Sequence, residues 1–288
     1  FWMPFAAHHY SMIDAIYSRA VSGGDKAMAA PRGEGKSTVV FWMLIFILLK
    51  QLRRHPCGIG QTNAKAKEKL FDPVLSQFQW NPFLMADFPE VCYPLKELDG
   101  APQRAKKQHH NGVKTRIKAT QDHLQLPIIN GYPLNYGLST LDYYGFDSDI
   151  RGSRHDFAAI DDPEKREVAF SQRNGGRKAQ HEVIEDLIDS DVAGLAFPNS
   201  TIPRVVITTI QNRRCYSYRV TSRDVKKGGK PAFEGDRFGI LVTWPTDRDL
   251  WDEYIALRHS SQAAGDKDGK AAVDFGRTVA MGRAAQHL

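Results

Sequence analysis

Little in this sequence of 288 residues speaks for an exported or membrane-held protein. Cysteine is scarce. Cys57, Cys92 and Cys215 are odd in number and far apart, which argues against a disulfide framework or a zinc knuckle and fits a reducing compartment. Long apolar runs are missing too: the longest, Val39 to Leu49, stops at Lys50 and is too short to cross a bilayer. No charged and apolar leader with a small-residue cleavage site opens the chain, which reads against secretion. The first residue is Phe1 rather than Met, as in a fragment. Internal repeats, heptads and low-complexity tracts are also absent. The charge imbalance is modest: 39 Lys and Arg against 33 Asp and Glu leave a net +6, which permits a polyanionic partner without requiring one. What is present is 42% hydrophobic and 25% charged residues, enough to build a sizeable core in one large α/β domain or two smaller ones.

Short apolar segments alternate with helical ones. The first 24 residues carry helical spacing at Tyr10, Ile13, Ile16 and Tyr17, and a strand is expected over 26–30, broken by Pro31. A helix should run from Ser37 to about Arg54, where Pro56 stops it; being apolar all round, it must be buried against a sheet. Residues 58–62 read as a strand and 64–70 as the start of a helix. The stretch 82–144 reads as irregular, with an exposed strand at 112–119. Strands at 157–160, 205–208 and 238–244, and a helix marked by Val183, Ile184, Leu187 and Ile188, complete the pattern. Short apolar strands between helices imply an α/β fold, a mainly parallel central sheet flanked by helices on both faces. Residues 1–245 would form that domain, and 246–288 a helical linker around Leu250, Trp251, Tyr254 and Ile255.

One segment carries chemistry: Ala30-Pro31-Arg32-Gly33-Glu34-Gly35-Lys36-Ser37-Thr38, between a strand and a helix. Glycines let backbone N–H groups turn inward around phosphates, Lys36 supplies a cation for the β- and γ-phosphates, and Ser37 a hydroxyl for Mg²⁺ at a helix N-terminus. This reads as a phosphate loop, departing from the general pattern where Ala30 replaces the first glycine. Such a loop needs a carboxylate at a strand end, and Phe157-Ala-Ala-Ile-Asp-Asp162 provides an apolar strand ending in acid. Asp161 would hold Mg²⁺ with Ser37. Asp162 would orient the attacking water, with Glu164 competing for that role. Arg32, inside the loop, is placed either to stabilise charge on the transferred phosphate or to hold the loop. Arg151 and Arg154, before the acidic strand, would touch phosphate or DNA, or stand as solvated charges.

Together these pieces resemble the ATPase domain of the terminase large subunit of tailed bacteriophages. The resemblance rests on the loop, on Ile150-Arg-Gly-Ser-Arg154, on Ile160-Asp-Asp-Pro-Glu164 and on Val206-Ile-Thr-Thr209. It implies an ASCE-type P-loop NTPase fold and ATP hydrolysis coupled to movement of double-stranded DNA into a prohead. The implied partners are a small terminase subunit, the portal, and further copies in a ring, with the host cytoplasm as location. Thr208 and Thr209 match the family's coupling motif, which senses the γ-phosphate, and Asn212 could share that role. Phe5, His8, His9 and Tyr10 stand where terminases contact adenine. Nuclease activity is not implied, because 246–288 carries no strand-borne acidic triad. Basic clusters at Arg104, Lys106, Lys107, Lys114, Arg116 and Lys118, at Arg173, Arg177 and Lys178, and at Lys226, Lys227 and Lys230 suit contacts to DNA phosphate. Two other readings fit the loop: a helicase-like DNA-dependent ATPase, and a nucleotide-binding assembly module without turnover.

Overall fold

The structure, a computed structural model, describes residues 5–98, 109–110, 112–127, 139–150, 152–164, 179–224, 229, 233–239, 247–266, 270 and 274–276. The chain forms two compact units, Phe1–Phe238 and Gly239–Leu288. In the first, helix α1 (Ala7–Ser22) leads into strand β1 (Asp25–Ala29), and the loop after β1 into helix α2 (Lys36–Leu49). Strand β2 (Pro56–Gly60) is followed by α3 (Asn63–Ala66), a π-helical turn (Lys67–Phe71), α4 (Asp72–Trp80), α5 (Pro82–Asp87) and α6 (Pro89–Glu97). Short strands β3 (His109–His110), β4 (Val113–Lys114), β5 (Lys118–Ala119) and β6 (His123–Gln125) precede β7 (Thr140–Gly145) and β8 (Phe157–Asp161). Helix α7 (Gln180–Asp186) continues through a π turn to Val192; then come β9 (Arg204–Thr208), α8 (Tyr216–Val220) and β10 (Phe233–Arg237).

Among the described residues the main sheet runs β10-β1-β9-β8-β2-β7-β6-β5. Its strands are parallel from β10 through β7; β6 and β5 are antiparallel additions. Alternate strand residues feed two cores, as the two-residue period of a strand requires. Met28, Phe157, Ala159, Val205 and Ile207 pack beneath α1, α2, α4 and α6. Ala27, Ala158, Ile160 and Val206 pack on the other face with Ile184, Ile188, Tyr216 and Val220. The expected parallel sheet with helices on both faces is what forms. One strand, β9, stands between the strand before the phosphate loop and the strand ending in acid, the order of the ASCE-type P-loop fold.

Several local expectations need correction. Helix α2 ends at Leu49, not Arg54. Gln51 turns left-handed at φ 51°, and Asp156 takes the amides of Arg54 and His55 at 2.7 and 2.9 Å, drawing the chain toward β2. The stretch expected to be irregular contains α5 and α6. Pro82 and Pro89 open these helices, where the missing N–H costs nothing, and Asn81 caps the amides of Phe83 and Leu84. The exposed strand expected at 112–119 is two dipeptide strands instead, with Thr115 and Ile117 fully buried around Arg116 at φ 50°. The edge strand lies at 233–237, and most of the expected strand, 240–244, falls outside the described residues.

In the second unit, α9 (Arg248–Ala263) is capped by Asp247, whose Oδ1 accepts the Leu250 amide at 3.1 Å, and the Trp251 and Tyr254 rings stack on it at 5.5 Å. No described helix is long and apolar enough to cross a membrane.

Candidate functional site

Parallel strands deliver their following loops to one edge of a sheet, and there a cavity of about 600 Å³ opens. Arg32, Gly33, Gly35, Lys36, Ser37 and Thr38 line one side, and Asp161, Asp162, Glu164 and Thr209 another. The loop is fastened at its start, where the Ala30 amide donates to the Thr208 carbonyl at 3.1 Å. Gly33 and Gly35 take φ of 83° and 64°, conformations that open the loop and that side chains resist; Gly35 is the left-handed N-cap of α2. Lys36 opens α2, is 6% exposed, and donates from Nζ to the Pro31 carbonyl at 2.7 Å. Burial holds its pKa below the ordinary lysine value, against the opposing pull of Asp162 and Asp161.

Ser37 Oγ donates to Asp161 Oδ2 at 2.6 Å, joining the loop to the end of β8 across 124 positions of sequence. Asp161 is 3% exposed and its pKa is pushed up to about 6, first by burial and then by the neighbouring Asp162, with Ser37, Lys69 and Lys36 pulling the other way. Its other oxygen, Oδ1, is buried with no protein partner among the described residues. A buried carboxylate oxygen left over beside a serine hydroxyl is a hard-oxygen donor set, which fits Mg²⁺. Asp162 follows at φ 42°, its amide donating to the Ile207 carbonyl at 2.8 Å, and lines the cavity.

Glu164 is placed differently from its rival. Its carboxylate accepts the Tyr216 amide at 2.6 Å, the Ser217 amide at 2.8 Å and the Ser217 hydroxyl, all at the start of α8. Ser217 Oγ in turn lies 2.5 Å from Thr208 Oγ1. So Thr208 faces this buried network, whereas Thr209 lines the cavity with its Oγ1 buried and unpartnered among the described residues. Asn212 does not line the cavity; its Oδ1 accepts the Arg214 amide, and Gln211 stands on the wall instead. Arg154 donates to the Gly194 carbonyl at 2.8 Å, away from the cavity, and Arg151 lies outside the described residues. So do Arg104, Lys106, Lys107, Arg173, Arg177, Lys178, Lys226, Lys227 and Lys230.

The N-terminal aromatics stand beside the loop. His9 Nδ1 accepts the Ala6 amide, which leaves Nε2 to donate to the Glu34 carbonyl at 2.9 Å, and His8 Nε2 lies 3.2 Å from the Glu34 carboxylate. Phe5 packs on His9 and Tyr10 with ring centroids 5.6 and 5.7 Å apart. Sequence reasoning missed a further part of the cavity wall: Gly60, Gln61, Lys65 and Lys69. The available signal was Lys65 and Lys69, four apart and just beyond a strand end.

No family model and no curated protein matches this sequence. Solved structures do. The ATPase domain of the large terminase of Thermus phage P74-26 aligns over 94% of this chain and 97% of its own, at 14% identity and a TM-score of 0.44. A large terminase from a thermophilic bacteriophage, solved in complex with ADP, aligns over 87% of this chain and 50% of its own, at 13% identity and a TM-score of 0.45. The Phi-28 gp11 DNA packaging motor aligns over 86% of this chain and 64% of its own, at 12% identity and a TM-score of 0.42. The chain is similar to phage packaging motors. The fold itself rests on the strand order and the loop described above.

Proposed function

We propose that this chain is the ATPase part of a phage DNA-packaging motor, hydrolysing ATP to move double-stranded DNA into a prohead. The observation that supports it most is the hydrogen bond from Ser37 to Asp161, which assembles a phosphate loop and a metal-competent acid around one cavity. ATP would lie along the loop, its phosphates against Lys36 and the N-terminus of α2. Mg²⁺, held by Ser37 and Asp161, would supply charge neutralisation at the transferred phosphate. Asp162 orients water: both acids line the cavity, but the Glu164 carboxylate is occupied by three donors. Arg32 and Lys36 stabilise charge developing on the phosphate. Thr209 reads the terminal phosphate, and Thr208 passes the change through Ser217 to Glu164 and α8.

Double-stranded DNA, a small subunit, the portal and a ring of further copies belong to the same reading, as does the host cytoplasm. Residues 246–288 enter that reading as a helical linker toward a nuclease domain. The test is steady-state ATPase with and without duplex DNA, on wild type and Asp161→Ala. Mg²⁺-dependent turnover, stimulated by DNA and absent from the variant, is the expected result. Strand separation during turnover would favour a helicase-like ATPase. Nucleotide binding without turnover, even with the motor's other components present, would favour an assembly module.

A further inference from the structure

One part of the cavity wall carries cations to which the proposed chemistry gives no part. It is made by the segment from Thr62 to Phe71, lying directly on the ends of β2 and β7. A Cβ at Gly60 would stand 2.9 Å from the Ala66 amide nitrogen, and one at Gly145 only 1.9 Å from that of Asn63. Without side chains at these two places the segment closes onto the sheet. The π turn then buries Leu70 and Phe71, each 1% exposed, and turns Lys69 to the cavity. π turns recur at functional sites for this reason: one extra residue re-aims a side chain.

Lys69 Nζ stands 4.0 Å from Asp161 Oδ2, the same oxygen that receives the Ser37 hydroxyl. Its side chain is 40% exposed, so it is free to swing. Lys65, earlier on the same wall, is already donating to Gln61 Oε1. Ser37 and Asp161 mark the metal end of the site, where the β- and γ-phosphates belong. Metal bound there would compete with Lys69 for Asp161 and leave its ammonium available to the terminal phosphate, in the same cavity as Lys36.

We propose that Lys69 is a second phosphate-binding cation, gripping the terminal phosphate together with Lys36 and making the site prefer a triphosphate to a diphosphate. This rests on the ATP-site reading above, and the experiment separates the two. Fluorescent, non-hydrolysable ATP and fluorescent ADP would be titrated with Mg²⁺ into wild type, Lys69→Met and Lys69→Arg, with thermal melts to show that each variant is folded. Methionine keeps the aliphatic stem and removes only the charge. Loss of one charge-assisted contact should weaken the triphosphate about tenfold in Lys69→Met, leave the diphosphate within about twofold, and be largely restored by arginine. Equal losses for both nucleotides, no loss for either, or failure of arginine to restore binding would overturn the role of Lys69. A wild type that binds neither nucleotide would instead overturn the ATP-site reading itself.

Discussion

Asp161 combines burial with charge, and the conflict has a measurable sign. Its pKa is pushed up to about 6, so the folded state favours the neutral acid. The associated stability is complete below the ordinary carboxylate range and is lost as pH rises through about 6. A rise of this size corresponds to about 3 kcal/mol between the two protonation states. In Mg²⁺-free buffer, Asp161→Asn should therefore melt above wild type at pH 7.5, with the gap closing toward pH 4.5; a gap that ignores pH would refute this. The two neighbouring acids should separate as well. Asp162→Asn should abolish turnover with little change in melting temperature, because Asp162 faces the cavity. Glu164→Ala should cost about 2–4 kcal/mol of stability, because it strands the buried amides of Tyr216 and Ser217. The loop and the acids were legible in the sequence because each is a compact run of unusual residues. What Glu164 does was not, since its partners lie 52 and 53 positions away and two of its three donor groups are backbone amides.

At the scale of elements, the Thr62–Phe71 segment is positioned by absences. Gly145→Ala would drive a methyl group into backbone of Thr62 and Asn63 and should destabilise the protein by more than about 3 kcal/mol, with weaker nucleotide binding as the wall lifts. Gly194→Ala, with nothing within 4 Å of the added carbon, should stay within about 0.5 kcal/mol of wild type. Denaturant melts of the two variants decide it; similar losses in both would show that the close approach is not what matters. Such contacts are illegible to periodicity, which registers where apolar residues recur and not where a side chain must be missing. Proline misled for a related reason. Pro82 and Pro89 look like breaks in a chain read residue by residue, yet each is the first residue of a helix. The strands built on 157–160 and 205–207 were easier, because these unbroken apolar runs have no place except the middle of a sheet.

For the whole molecule, both hydrophobic cores and every residue lining the cavity lie within the first compact unit. A chain ending at Phe238 should therefore fold cooperatively and bind nucleotide as the full chain does. Loss of binding on truncation, measured by the same titration, would show that the second unit takes part in the site. The sheet order also carries a consequence for biosynthesis. Strand β1 bears the phosphate loop, yet its two neighbours are β9 and β10, made some 180 to 210 residues after it. Until they arrive, β1 has neither edge paired and the Ala30 amide has no Thr208 carbonyl to meet. The nascent protein must hold this loop without that scaffold until they are made. On the proposed reading nucleotide capture is then a late event, and the appearance of ATP binding during synthesis would time the completion of the sheet.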